Sequence, residues 1–90
     1  MASWITAFDA KEEILLNREN KSDLPIRTIL MELIGCWGVN FEINGQSYWL
    51  ADKKGKTRHF KTLQSAMKDI IFIHDGGYFD LKVMPNGKDD

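Results

Sequence analysis

"PIRTILMELI", residues 25–34, is the stretch whose periodicity decides the fold. Ile26, Ile29, Leu30, Leu33 and Ile34 fall at i, i+3, i+4, i+7 and i+8, one face of an α-helix, while Arg27, Thr28 and Glu32 lie off it. Pro25 suits a first helical turn, where its missing N–H would have no intrahelical partner, and Asp23 just upstream complements the positive helix start. Gly35 is a natural stop. The spacing predicts a helix over 25–34. Its stripe is most simply core; if wider than one core needs, it offers the surface for a homodimer.

Beyond Gly35 the period changes. Trp37, Val39, Phe41 and Ile43 alternate with Gly38, Asn40 and Glu42, as in a half-buried strand. Asn44-Gly45 then reads as a two-residue hairpin turn, because a type I′ turn needs positive φ at both central residues. Pairing Ile43 with Gln46 sets Phe41 against Tyr48 and Val39 against Leu50, and leaves Trp49 beside Asn40 on the other face. A second turn, DKKGK, reads as a three-residue loop closed by Gly55 in the left-handed region. That register opposes Asp52 to Lys56 and Tyr48 to Phe60, and places His59 opposite Trp49 with Lys61 further along the same face.

Thr62 caps the next helix, with Leu63, Ala66, Met67 and Ile70 inward, and His74-Asp75-Gly76-Gly77 ends it. Residues 78–84 alternate again as a fourth strand, followed by the polar tail PNGKDD. Upstream, Asp9 and Glu12 form a capping box for a helix carrying Ile14, Leu15 and Leu16, which ends over residues 17–20. Trp4, Ile5 and Phe8 before it make either a short strand or packing for the helix start. The predicted order is ααβββαβ, a single α+β domain with helices packed on an antiparallel sheet of three to four strands.

Ninety residues suit one domain that buries a little over ~60% of its unfolded surface. The 43% apolar content, with ten aromatic residues, supplies a core and argues against disorder. Cys36 stands alone, so no intrachain disulfide forms, and its neighbours suit a small buried hydrophobe. The N-terminal residues lack the basic start and apolar run of a signal peptide, and no segment is long and apolar enough for a membrane span. The expected location is the cytoplasm, with no membrane partner.

Catalytic and cofactor chemistry find little support. His59, His74 and Cys36 have no zinc-ligand spacing, no loop is rich enough in carboxylates for calcium, and no cofactor is expected. The glycines of HDGGYFD follow a helix, whereas a phosphate cradle needs them before one. No Ser or Cys stands in a nucleophile elbow, and His59 has no orienting acid in the sequence, so the chain is read as a non-enzyme.

Charge is the informative feature. Net charge is −1, yet residues 53–68 hold six Lys/Arg and no acid, while residues 1–52 hold four against eight acids and residues 69–90 two against five. Lys53, Lys54 and Lys56 on a turn, with Arg58 and Lys61 running back from it, are the residue types that neutralise phosphates. Trp49 and His59 on the adjoining sheet face supply a stacking platform for bases. Residues 55–66, GKTRHFKTLQSA, resemble the G-K-x-R-x-F-x-T-x-x-x-A stretch of the arm-type DNA-binding domains of phage and mobile-element tyrosine recombinases. In that family three antiparallel strands precede one helix and the sheet lies in the major groove. The resemblance implies that Trp49, Lys56, Arg58 and Lys61 occupy strand positions able to meet DNA. The expected function is a small module binding DNA or RNA through residues 48–62. The alternative is a protein-binding accessory factor, an adaptor or a phage- or plasmid-type inhibitor of host machinery, which uses the same hairpin and its aromatics.

Overall fold

The computed structural model describes residues 3–20, 26–75 and 79–85. Its elements run β1 (Ser3–Thr6), α1 (Ala7–Asn20), β2 (Arg27–Leu33), β3 (Cys36–Ile43), β4 (Gln46–Ala51), α2 (Leu63–His74) and β5 (Asp80–Met84). The order is therefore βαβββαβ, and the single sheet is five-stranded and mixed, β1-β4-β3-β2-β5. This overturns the ααβββαβ order and the all-antiparallel sheet predicted above.

The correction starts at residues 25–34. Most of that stretch is not a helix but strand β2, antiparallel to β3 and parallel to β5. The helical spacing of its apolar residues is coincidental. Thr28 and Leu30 point into the core while Ile29 and Met31 populate the other face, so both faces are apolar and the alternation that marks a strand is erased. The β-branched residues Thr28 and Ile29 suit a central strand. With the helix gone, the homodimer stripe it offered is gone as well. Pro25 and Asp23 lie outside the described residues, as do Gly76, Gly77 and the tail from residue 86.

Both helices pack on one face. Ile5, Leu30, Val39, Phe41, Ile43 and Leu50 from the sheet meet Ala10 and Ile14 of α1 and Ala66, Ile70 and Ile73 of α2. Each large side chain buried there contributes roughly 1.5–3 kcal/mol relative to exposure. The N-cap of α1 is Thr6, whose Oγ1 accepts from the Asp9 N–H at 3.2 Å, so Asp9 sits in the first turn rather than at the cap. Thr62 caps α2 as expected, accepting from the Ser65 N–H at 3.1 Å.

Among the described residues the opposite face carries no helix, although Ile29 and Asn40 on it are buried. Pairing registers lay Trp4, Trp49, Asn40, Ile29 and Lys82 in one row across all five strands. Beside it Thr6 pairs with Ala51 at one end of the sheet, and Gly38, Met31 and Met84 align at the other. The Asn44-Gly45 hairpin holds the predicted register, with Ile43 opposite Gln46, Phe41 opposite Tyr48 and Asn40 opposite Trp49.

The segment after the second turn departs from expectation. Asp52 does oppose Lys56, its N–H donating to the Lys56 carbonyl at 2.8 Å, and Ala51 bridges Thr57. Phe60, however, exchanges both backbone hydrogen bonds with Trp37 of β3, at 2.7 and 2.8 Å, instead of pairing with Tyr48. Ala51 pairs with Thr6 on one side and Thr57 on the other, so β1 holds the outer edge of β4. Residues 57–60 are thereby directed inward, into a gap where β3 and β4 splay apart.

Candidate nucleic-acid interface

The basic turn is locally well determined. Gly55 adopts φ 83°, a conformation costly for any side-chain-bearing residue, and donates its N–H to the Asp52 carbonyl at 3.0 Å. The Asp52 carboxylate accepts from the N–H groups of Lys54 and Lys56 at 2.9 and 3.0 Å. Asp52, the acid next to the basic block, thus serves the turn's backbone. Lys53, Lys54, Lys56 and Lys61 are all exposed, and none makes an ion pair with a described residue.

Arg58 differs. Its Nη1 lies 2.6 Å from Asp69 Oδ2 on α2, and its guanidinium carbon stands 5.0 Å from the centre of the Phe60 ring. The pair is partly exposed and adds at most about 1 kcal/mol. Its consequence is geometric: with buried Phe60, it fixes where the lysine turn emerges.

On the helix-free face, Trp49 is half-buried because its indole lies over Gly38. An ideal Cβ there would stand 3.1 Å from Trp49 Cζ3 and 3.2 Å from Leu33 Cδ1. Trp4, 56% exposed, is its register partner on β1, and its indole N–H donates to Thr57 Oγ1 at 3.0 Å. That bond ties β1 to the strand leaving the turn. Thr57 shares a face with Ala51, and Phe60 faces the core, so alternation sets exposed His59 on the helix-free face with Trp49. The structure therefore gathers Trp49, His59 and the lysine turn at one corner of the sheet and turns Arg58 toward α2.

Sequence reasoning missed two participants. Trp4 joins the corner through a parallel pairing that has no local signature, although a short strand at Trp4 and Ile5 was one of the two readings the sequence offered. Thr57 is its hydrogen-bond partner. His74, by contrast, belongs to the core. It is 2% exposed, with Nε2 2.7 Å from Thr28 Oγ1 and its ring stacked on Phe79 at 4.1 Å. Burial, aided by the positive charge of Arg18, lowers its pKa to about 4.

Among the described residues, no group of three or more His, Cys, Asp or Glu side chains is placed to hold a metal ion. No described helix is long and apolar enough to cross a membrane. Comparison of this chain with protein-family models, with curated proteins and with solved structures finds no match.

Proposed function

We propose that this protein is a small binding module that takes single-stranded nucleic acid at the corner formed by the lysine turn and the helix-free sheet face. One observation carries the reading: two neighbouring indoles, exposed Trp4 and half-buried Trp49, lie on the sheet face that carries no described helix, beside lysines whose ammonium groups no described carboxylate engages. Lys53, Lys54, Lys56 and Lys61 neutralise phosphates, and Trp4, Trp49 and His59 receive splayed bases. A duplex keeps its bases stacked inside and makes less use of flat aromatic surfaces, so a single strand is preferred. The likeness of residues 55–66 to recombinase arm domains supports the nucleic-acid class, but of the four strand positions it implied only Trp49 lies on a strand, Lys56, Arg58 and Lys61 falling between β4 and α2. Arg58 acts by positioning the turn.

Titration with a labelled oligonucleotide at several salt concentrations tests this. Four neutralised phosphates on a single strand give a slope of log K against log salt near about −3. Lys53→Glu, Lys54→Glu and Lys56→Glu together should abolish binding and leave the fold intact, since all three side chains are exposed. Arg58→Glu is a poor probe because it would set a carboxylate against Asp69. Equal binding by the folded triple variant, or affinity indifferent to salt, contradicts the proposal.

A protein partner is the second reading. The helical layer exposes Phe8, Leu15, Leu16, Ile71 and Phe72, far more apolar surface than a nucleic-acid module requires.

A further inference from the structure

Helix α1 is apolar on opposite sides. Ala10 and Ile14 enter the core, yet Phe8 is 65% exposed and Leu15 50%, and Leu16 is exposed as well. Large apolar side chains grouped on an exposed surface mark a place where a partner binds. Phe8 and Leu15 are seven residues apart, two turns along one side of the helix. Next to them on α2 stands Phe72, which meets Phe8 edge-to-face with ring centroids 6.1 Å apart. Lys11 reaches across, its Nζ 4.4 Å from the Phe72 ring centre and 3.8 Å from Asp75 Oδ1. Phe8 and Phe72 thus join the two helices on the layer opposite the lysine corner, with Leu15 two turns from Phe8 along the same side of α1 and Lys11 seated over the Phe72 ring.

Charge selects what covers it. Over its length α1 carries Asp9, Glu12, Glu13 and Glu19 against Lys11 and Arg18, and Lys11 is engaged by Asp75. Three of those acids, Asp9, Glu12 and Glu13, line a groove of about 490 Å³ floored by Ile5 and Ile43 and closed by the β3–β4 hairpin. Glu12 links the groove to the exposed apolar side chains, lying one turn from both Phe8 and Leu16. A nucleic acid is repelled here. A second copy docked through the same face would set acid against acid, and the lysine turn of another copy brings no apolar anchor. The complement is a segment with apolar residues on one side and Lys or Arg beside them.

We propose that the α1–α2 face docks a basic amphipathic helix of a protein partner, its apolar anchors on Phe8, Leu15 and Phe72 and a cationic side chain in the Asp9–Glu12–Glu13 groove. The inference does not rest on the nucleic-acid reading, since the two surfaces lie on opposite layers and share none of the residues named for contact.

The test uses two synthetic 14-residue helical peptides with the same leucine pattern, one bearing Lys/Arg on its polar side and one bearing Glu. Amide shifts of the full protein are followed by NMR, with light scattering on the protein alone. The basic peptide should shift α1 and α2 resonances around Phe8, Leu15 and Phe72 and leave the Trp49 indole unmoved. The Glu peptide should bind at least tenfold more weakly. Glu12→Lys with Glu13→Lys should weaken the basic peptide at least tenfold, and Phe8→Ser with Leu15→Ser should remove its binding from a still-folded chain. Equal shifts with both peptides, shifts elsewhere, or self-association that Phe8→Ser abolishes would each overturn the proposal, the last by making a second copy the occupant.

Discussion

Two turns, eight residues apart, face different constraints. Asn44-Gly45 joins β3 to β4, with φ of 52° and 81°, and the strands it connects stay paired in the register that local chemistry dictates. The turn over residues 52–56 is as well specified internally, with Gly55 at φ 83° and Asp52 capping two amides. Yet the strand it should begin goes elsewhere, because β1 holds the outer edge of β4 and the chain enters the gap between β3 and β4. Turn residues fix a turn. Where the chain goes next depends on which sheet edge is free.

The largest test of that contrast is Phe60→Ala. If residues 57–60 are a wedge anchored in the core, deleting the buried ring should cost about 3–5 kcal/mol in urea unfolding. A loss under about 1 kcal/mol would make the segment a loose return strand, within the range of surface substitutions.

Acid should act on both turns alike. His74 has a folded-state pKa of about 4 against an unfolded value of about 6.5, so the unfolded chain takes up the proton first as pH falls. Stability is full above about 6.5, is lost progressively between about 6.5 and 4, and levels off below, for a total of roughly 3 kcal/mol. Urea midpoints at pH 7 and pH 4 measure this, and His74→Gln should flatten the slope in that window. Because His74 lies under β2 and touches neither turn, resonances from both turns should melt together; separate midpoints would break the single-core account.

Gly45→Ala and Gly55→Ala should each cost about 1–2 kcal/mol by forcing a side chain into the left-handed region. Only Gly55→Ala should also reduce oligonucleotide binding, by displacing the lysines. Equal weakening by both would erase the functional distinction between the turns. The smallest expected effect is at Gly38, where an alanine methyl pushes on the Trp49 indole. Gly38→Ala should cost about 1 kcal/mol, the overpacking being partly offset by the lower entropy of the unfolded chain, and make tryptophan fluorescence more accessible to acrylamide; unchanged quenching would mean that the indole does not rest on that glycine.

The pattern of success and failure in the sequence is physical. The β3–β4 hairpin was legible because Val39, Phe41 and Ile43 alternate with polar or small residues and Asn44-Gly45 admits few other conformations. Helix α2 was legible from Thr62 and from Ala66 and Ile70, although Leu63, expected inward, is exposed and Ile73 and His74 complete the buried side. β2 was not, since Thr28 and Leu30 on one side and Ile29 and Met31 on the other leave no alternation for a centrally placed strand to show. Parallel pairing of β1 with β4 and of β5 with β2 joins segments far apart in sequence, without any turn to announce it. The candidate site inherited both outcomes: the lysines and Trp49 were named from local pattern, whereas Trp4 and the positioning role of Arg58 depend on contacts across 53 and 11 residues.

The most direct test uses the three tryptophans as built-in reporters. Trp4 and Trp49 lie on the helix-free face, and Trp37 packs against the core on the other. During titration with a short single-stranded oligonucleotide at low salt, the indole N–H resonances of Trp4 and Trp49 should shift together with the Lys53, Lys54 and Lys56 amides, while that of Trp37 stays in place. Unmoved Trp4 and Trp49 indoles, or equal movement of all three, would contradict the claim that this corner of the sheet receives nucleic acid.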